Sequence, residues 1–390
     1  MWCVNQVDRA KLVHEFTSVA IPVGKVAKLQ ALFGAIPICV NQTAGRVAHI
    51  ALGLLTVPFR VIWRCKRMCA KDMVVLQKPV ISVGSIAYGG SGKSPFCRLL
   101  AKWLHERGMN VGIVLPSYNP TRSCSKPDQQ SLTWDEAFEH SYYLPEVPVA
   151  VNRRREVAAA ELIERHGCDV VILDDGFQYR RLHRDLDIVL VDAFHVPHLC
   201  CPMLREFPSA LRSADIVCVT KTDAARAFLG DHHLDAFTTS LNSILHSSNF
   251  IEVNYAPSGF IHIADDAKLG KHELEGFKVI GVVGTAEPFS FFFMLRQLGL
   301  KVVRLFIFDD HHSYSLSDIA MLEEIRSGCN GALITTLKDA MKLCRVGSGG
   351  TLEGCHRFTG WYALCIDAHI VSNGWLLDEA LNKALKLQGC

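Results

Sequence analysis

Between Pro79 and Pro95 the chain reads Pro-Val-Ile-Ser-Val-Gly-Ser-Ile-Ala-Tyr-Gly-Gly-Ser-Gly-Lys-Ser-Pro. A short apolar run there leads into a glycine-rich turn and a basic residue. These residue types suit phosphate chemistry. Gly89, Gly90 and Gly92, with Ser91 among them, let successive backbone N–H groups curl around phosphate oxygens. A helix opening at this point adds the favourable field of its N-terminus. Lys93 then reaches the β- and γ-phosphates, and the Ser94 hydroxyl ligates Mg2+. One position departs from the G-x-x-x-x-G-K-[ST] pattern: its first glycine is Ala87.

Such a loop needs an acid at the end of an apolar strand to complete a metal site. Val170-Val-Ile-Leu-Asp174-Asp175-Gly176 offers two. Either carboxylate can hold Mg2+ directly or through water. A further run, Val219-Thr220-Lys221-Thr222-Asp223, matches the guanine-reading Asn/Thr-Lys-x-Asp pattern. Taken alone, the loop permits a kinase, a GTPase or a switch.

The elements that must position these groups follow from the apolar pattern. Strands are expected at Val80–Val83, Val111–Leu115, Val149–Val151, Asp169–Asp174, Asp187–Val191 and Asp215–Thr220, with helices such as Pro95–Arg107 and Arg153–His166 between them. Continuous apolar strands joined by helices predict a parallel sheet covered on both faces. Residues 118–147 read as irregular, and a break falls near Asp223–Asn249. A second series follows at Lys278–Val283, Lys301–Phe306, Ala332–Thr335 and Tyr362–Ile366. The fold class is therefore α/β: a P-loop NTPase-like parallel sheet flanked by helices, with a second, smaller α/β lobe and an N-terminal helical region. The segments are 1–76, 77–225 and 226–390.

The N-terminal segment carries apolar stretches around Val19–Val40 and Val47–Trp63, the second running into Arg60, Arg64, Lys66, Arg67 and Lys71. Apolar surface beside clustered cations suits an anionic membrane surface. A helical hairpin packed on the body, with a solvated basic face, explains the same residues equally well. Met1–Glu15 has no apolar core of a signal peptide. The 390 residues hold 41 Lys+Arg against 39 Asp+Glu, and this near balance argues against a nucleic-acid binder. The 15 cysteines include no Cys-x-x-Cys pair, so neither a zinc site nor a disulfide framework is expected.

Together these motifs resemble the tetraacyldisaccharide 4'-kinase family. Its loop appears as Gly84-Ser85-Ile-Ala-Tyr-Gly89-Gly90-Ser91-Gly92-Lys93-Ser94-Pro95, and its Asp-Asp-Gly-Phe-Gln-His motif as Asp174-Asp175-Gly176-Phe177-Gln178-Tyr179. Leu182-His-Arg184-Asp185-Leu186-Asp187-Ile188-Val189, Leu204-Arg205-Glu206, Asp310-His311-His312 and Thr335-Thr336-Leu337-Lys338-Asp339 follow in order. The departures are Pro116-Ser117-Tyr118, Trp134-Asp135-Glu136-Ala137, Tyr179 in place of histidine, and Gly284-Thr-Ala-Glu287-Pro288.

The resemblance implies transfer of the ATP γ-phosphate to the 4'-hydroxyl of a tetraacyldisaccharide 1-phosphate, a lipid A precursor, with Mg2+ as cofactor. It implies Asp135 as the base, His311 as its partner and Asp310 as a support for that histidine. Lys93 serves the phosphates, while Ser94, Asp174 and Asp175 serve the metal. Arg205, Glu206 and Gln178 fall on the substrate side. A bacterial chain of this kind works at the cytoplasmic face of the inner membrane; a eukaryotic one would be organellar and need a targeting segment, which Met1–Glu15 does not clearly provide. Two alternatives stand beside it: a GTPase of the metal-chaperone type, and a non-catalytic nucleotide-binding relative of the kinase.

Overall fold

The computed structural model describes residues 9–23, 57–58, 60–62, 73–117, 134–195, 204–247, 249–285, 288–310, 312–348 and 358–386. The chain forms two compact units. The larger comprises Thr43–Thr222, His232–Tyr255 and Ala368–Cys390, and the smaller Met1–Gln42, Asp223–Asp231 and Ala256–Asp367. These units interleave along the chain, a different partition from three consecutive segments. The apolar stretches and cations of the N-terminal segment fall mainly outside the described residues. Among the described residues no helix is long and apolar enough to cross a membrane.

In the smaller unit, helix α1 (Arg9–Val19) leads into a short strand, β1 (Ala20–Pro22). In the larger unit, β2 (Val80–Ser85), β3 (Val111–Pro116), β4 (Val149–Asn152), β5 (Val170–Asp174), β6 (Leu186–Asp192), β7 (Ile216–Thr220) and the start of β8 (Ile251–His262) lie in the order β4-β3-β5-β2-β6-β7-β8. All these pairs are parallel. Every residue of β2, β3, β5, β6 and β7 is buried. That burial explains why each reads as a largely apolar run, the mark of a parallel sheet covered on both faces. Parallel strands deliver their carboxyl ends to one edge, where open α/β sheets bind ligands.

Helix α2 (Lys93–His105) follows β2 and buries Phe96, Cys97, Leu100, Ala101 and Leu104 along one face. Each large apolar side chain so buried contributes about 1.5–3 kcal/mol. Helix α3 (Trp134–Tyr143) precedes β4, and α4 (Arg155–His166) packs on β3 and β4. Ala158, Ala159 and Leu162 of α4 meet Val80, Val114, Val171 and Leu173 in one core cluster. Gly167, at φ 66°, closes α4 in the left-handed region that glycine tolerates.

The supposed break at 223–249 is instead two helices, α5 (Thr222–Leu229) and α6 (Asp231–Leu245), separated by Gly230. Leu234, Phe237 and Leu241 bury one narrow face of α6. Its polar majority hid the period. The stretch read as irregular contains α3, and β8 had no counterpart in the expected strands.

The smaller unit holds a second parallel series, ordered β1-β11-β10-β12-β13, from β10 (Lys278–Val283), β11 (Lys301–Ile307), β12 (Ala332–Thr336) and β13 (Trp361–Ser372). Strand β9 (Lys268–Gly270) pairs antiparallel with β8. Helices α7 (Pro288–Gln297), α8 (Leu316–Cys329) and α9 (Leu337–Ser348) alternate with these strands, and α10 (Gly374–Ala384) follows β13. Phe16 of α1 is anchored among Phe228, Phe289 and Phe292, with ring centroids 4.5–6.0 Å away. The N-terminal segment thus begins as an integral edge of this unit, with β1 paired to β11.

The Thr335–Asp339 motif has a structural task. Thr336 Oγ1 accepts from the Asp339 N–H at the start of α9, and the Asp339 carboxylate in turn accepts from Thr336 Oγ1 and from the Gly284 N–H (2.9 Å). This cap also fastens the turn after β10.

Candidate active site

The phosphate loop runs from the end of β2 to the start of α2. Gly89 and Gly92 have φ of 76° and 83°, a region in which side chains are strained. At Gly92 space is also closed: a Cβ there would sit 2.0 Å from the Tyr255 hydroxyl oxygen. Gly92 caps α2 without any side-chain hydrogen bond, so the first amides of the helix are not satisfied by a capping side chain. Ser91 is buried and its Oγ has no hydrogen-bond partner among the described residues. Gly90 is exposed and Ser94 buried on the first turn of α2.

Asp174 ends β5, and Asp175 follows at φ 55°. The Lys93 ammonium lies 3.4 Å from Asp175 Oδ1. Arg205 grips the same carboxylate with both prongs, Nη1–Oδ2 3.2 Å and Nη2–Oδ1 2.5 Å. It also donates to the Ser85 carbonyl (3.1 and 3.3 Å). Burial opposes ionisation of Asp175, but Lys93 and Arg205 outweigh it and hold the carboxyl far below the usual range. Arg155 braces the turn from behind, donating to the carbonyls of Asp174 (3.4 Å) and Asp175 (2.7 Å).

The segment Leu204–Glu206 lies along the start of the loop. Leu204 bridges Ala87, and the N–H groups of Arg205 and Glu206 donate to the Ile86 carbonyl. Gln178 donates from Nε2 to the Ser85 carbonyl (2.9 Å) and to Glu206 Oε1 (2.5 Å). Arg205, Glu206, Gln178, Lys93 and Asp175 are thus joined around Ser85.

Asp135 lies in the first turn of α3 and is 5% exposed; its Oδ1 accepts from the Glu136 N–H. Two contacts tie α3 to the loop and strand. Arg98 of α2 pairs with Glu139 (2.9 Å), and His140 Nε2 is 3.0 Å from Asp174 Oδ2. His311 lies outside the described residues, and Asp310 is exposed in the turn after β11.

Tyr179, standing where the family motif has histidine, is built into the site. Its hydroxyl donates to Glu156 and accepts from the Arg155 N–H (3.1 Å). Burial, then Glu156, pushes its pKa up to about 12. The departure therefore carries its own partners, which hold Arg155 at the Asp174–Asp175 turn.

The guanine-reading pattern is otherwise occupied. Thr220 Oγ1 donates to the Ser91 carbonyl (3.2 Å), and the buried Lys221 ammonium pairs with Asp192 (2.6 Å). Sequence reasoning missed Arg98, His140, Arg155 and Tyr255. Only Arg155 carried a signal, a cation within a helix start beside the expected site.

The donor set fits a magnesium nucleotide. Uncapped helix amides, left-handed glycines, an orphaned buried Ser91 hydroxyl and Lys93 suit the phosphates. The hard oxygens of Ser94, Asp174 and Asp175 suit Mg2+.

A family model described as tetraacyldisaccharide-1-P 4'-kinase matches residues 48–386. The tetraacyldisaccharide 4'-kinase of Geobacter sulfurreducens is 32% identical over 281 residues, 69% of this chain and 75% of the relative. That of Geobacter metallireducens is 31% identical over 316 residues, 76% of this chain and 89% of the relative. Among solved structures, LpxK from Aquifex aeolicus in complex with ATP superposes with a TM-score of 0.57 at 21% identity. The match covers 86% of this chain and 99% of that one, and it shows the shared fold.

Proposed function

The chain belongs to the tetraacyldisaccharide-1-P 4'-kinase family, and from that premise we propose how its own residues carry the reaction. It is an ATP-dependent kinase of lipid A synthesis, passing the γ-phosphate of ATP to the 4'-hydroxyl of a tetraacyldisaccharide 1-phosphate. The observation that carries the placement of the site is the convergence of Lys93 and Arg205 on Asp175 beside an uncapped helix N-terminus.

The loop amides from Gly89 to Ser94 bind the nucleotide phosphates, and Lys93 neutralises charge on the β- and γ-phosphates. Before ATP arrives, Asp175 holds Lys93 and Arg205 in place; phosphate oxygens then compete for the same cations. Ser94, Asp174 and Asp175 would hold Mg2+, which would supply further neutralisation of the phosphate oxygens. Asp135 takes the proton of the 4'-hydroxyl as that oxygen bonds to the γ-phosphorus and the bond to the ADP oxygen breaks. Arg205 clamps a phosphate with its fork, while Gln178 and Glu206 hold the strap that presents it. The acceptor's acyl chains place the reaction at an anionic membrane surface, the cytoplasmic face of the inner membrane in a bacterium.

Incubation of the purified protein with ATP, Mg2+ and tetraacyldisaccharide 1-phosphate should yield the 4'-phosphorylated product, and Lys93→Ala should abolish it. Nucleotide binding without product would favour a non-catalytic relative of the kinase. A strong preference for GTP over ATP would overturn the kinase reading.

A further inference from the structure

The phosphate loop is gripped from behind by two hydroxyl groups on neighbouring strands, one at the carboxyl end of β7 and one within β8. Thr220, the last residue of β7, donates from Oγ1 to the Ser91 carbonyl at 3.2 Å. Tyr255 of β8 donates from its hydroxyl to the Gly92 carbonyl at 3.0 Å and lies 3.3 Å from the Ser91 carbonyl. Both residues are buried.

Peptide planarity turns these contacts into a statement about the opposite side of the loop. In a trans peptide the C=O and the next N–H point in opposite directions, and no cis peptide occurs among the described residues. Holding the Ser91 carbonyl therefore aims the Gly92 N–H away from Thr220 and Tyr255. Holding the Gly92 carbonyl does the same for the Lys93 N–H. These are the amides a glycine-rich loop offers to phosphate. Tyr255 also occupies the place of a Gly92 side chain, since a Cβ there would lie 2.0 Å from its oxygen. Glycine and tyrosine thus fit as a pair, and the loop cannot settle back onto β8.

We propose that Tyr255, assisted by Thr220, is a positioning residue that presets the Gly92 and Lys93 amides of the phosphate loop for the β-phosphate of a nucleotide. The proposal rests on the reading of this loop as the nucleotide site. Burial pushes the Tyr255 hydroxyl well above the usual phenol range, so it remains a donor at all working pH values. Without the two hydroxyls the Ser91 carbonyl loses its donors and the Gly92 carbonyl keeps only the helical bond from the Phe96 N–H (3.2 Å), so the cost of ordering these peptide planes falls more heavily on nucleotide binding.

Tyr255→Phe keeps the ring and removes only the hydroxyl. Titration calorimetry on the full chain with ADP and with AMP separates the outcomes. The variant should bind ADP about three- to tenfold more weakly, the range expected for one lost hydrogen bond. AMP, which lacks the β-phosphate, should bind with unchanged affinity. KM for ATP should rise while KM for the lipid acceptor stays the same. Wild-type ADP affinity in Tyr255→Phe overturns the proposal, as does an equal loss for AMP, which would mark a general loosening. Should Tyr255→Phe fail to fold, Thr220→Val carries the same test: weaker ADP binding supports the brace and unchanged binding overturns it. Failure of the wild-type chain to bind ADP at all would strike the nucleotide reading, a separate result.

Discussion

His140 Nε2 lies 3.0 Å from Asp174 Oδ2, and both side chains are buried. The contact joins α3, which carries Asp135, to the strand end that carries Asp174 and Asp175, the proposed metal-site carboxylates. His140→Leu removes this donor and frees α3 from β5. Partners behind a metal-site carboxylate are worth about 10–100-fold in metal affinity or activity. The expected outcome is a fall of that size in kcat, together with weaker Mn2+ binding by electron paramagnetic resonance. His140→Gln keeps an N–H donor and should recover most of both. Equal loss in the two variants would mean that packing volume alone matters.

Asp175 makes the site sensitive to acid. Its carboxyl is held far below the usual range by Lys93 and Arg205 against the cost of burial. The folded chain therefore resists protonation that the unfolded chain accepts. The stability so supplied is complete above the unfolded carboxylate pKa, about 4, and drains away as the pH falls below it. Asp175→Asn should flatten the acid limb of a Tm-against-pH curve. It should also lower turnover, because Lys93 and Arg205 lose the anion that arranges them. A parallel acid limb in the variant would assign the effect to other carboxylates.

Asp135 is the proposed base. Asp135→Ala should lower kcat by about 10²–10⁴-fold and leave KM for ATP near its original value. Wild-type turnover would move the proton transfer to another residue.

Tyr179 tests whether the departure from histidine is compensated locally. Tyr179→Phe deletes the donor to Glu156 and the acceptor for the Arg155 N–H. A loss of about 1 kcal/mol in stability is expected, read from urea unfolding. Because the folded phenol titrates near about 12, above its ordinary value of about 10, its contribution is full below pH of about 10. It is lost as the pH rises toward about 12. Tyr179→Phe should therefore narrow its gap from wild type at high pH.

The strands were legible because each is buried along its whole length, so apolarity alone marks β2, β3, β5, β6 and β7. Helix α3 was not, because it buries Glu139 and His140, whose partners Arg98 and Asp174 come from other elements. No period computed along one segment can reveal a charge neutralised by another. The same division holds in the site. A phosphate loop must be contiguous, and contiguity is visible. The contact of Tyr255 with Gly92 spans 163 residues, and β8 was not foreseen, so nothing local marked it. Arg205, Glu206 and Gln178 came to light through family resemblance, since their convergence on Ser85 also crosses several elements.

The larger unit is not one continuous length of chain: it takes back residues 232–255 and 368–390 after the smaller unit has begun. Helix α10 buries Leu377 and Leu381 and packs on β6 and β7. While the protein is being made, β7 therefore emerges from the ribosome ahead of its edge partner β8 and long before α10 can cover its face. Until then the nascent chain presents a bare strand edge and an apolar sheet face, the surfaces by which partly made proteins stick to one another. The phosphate loop is among the first parts of the described sheet to be synthesised and, through Tyr255, among the later ones to be completed.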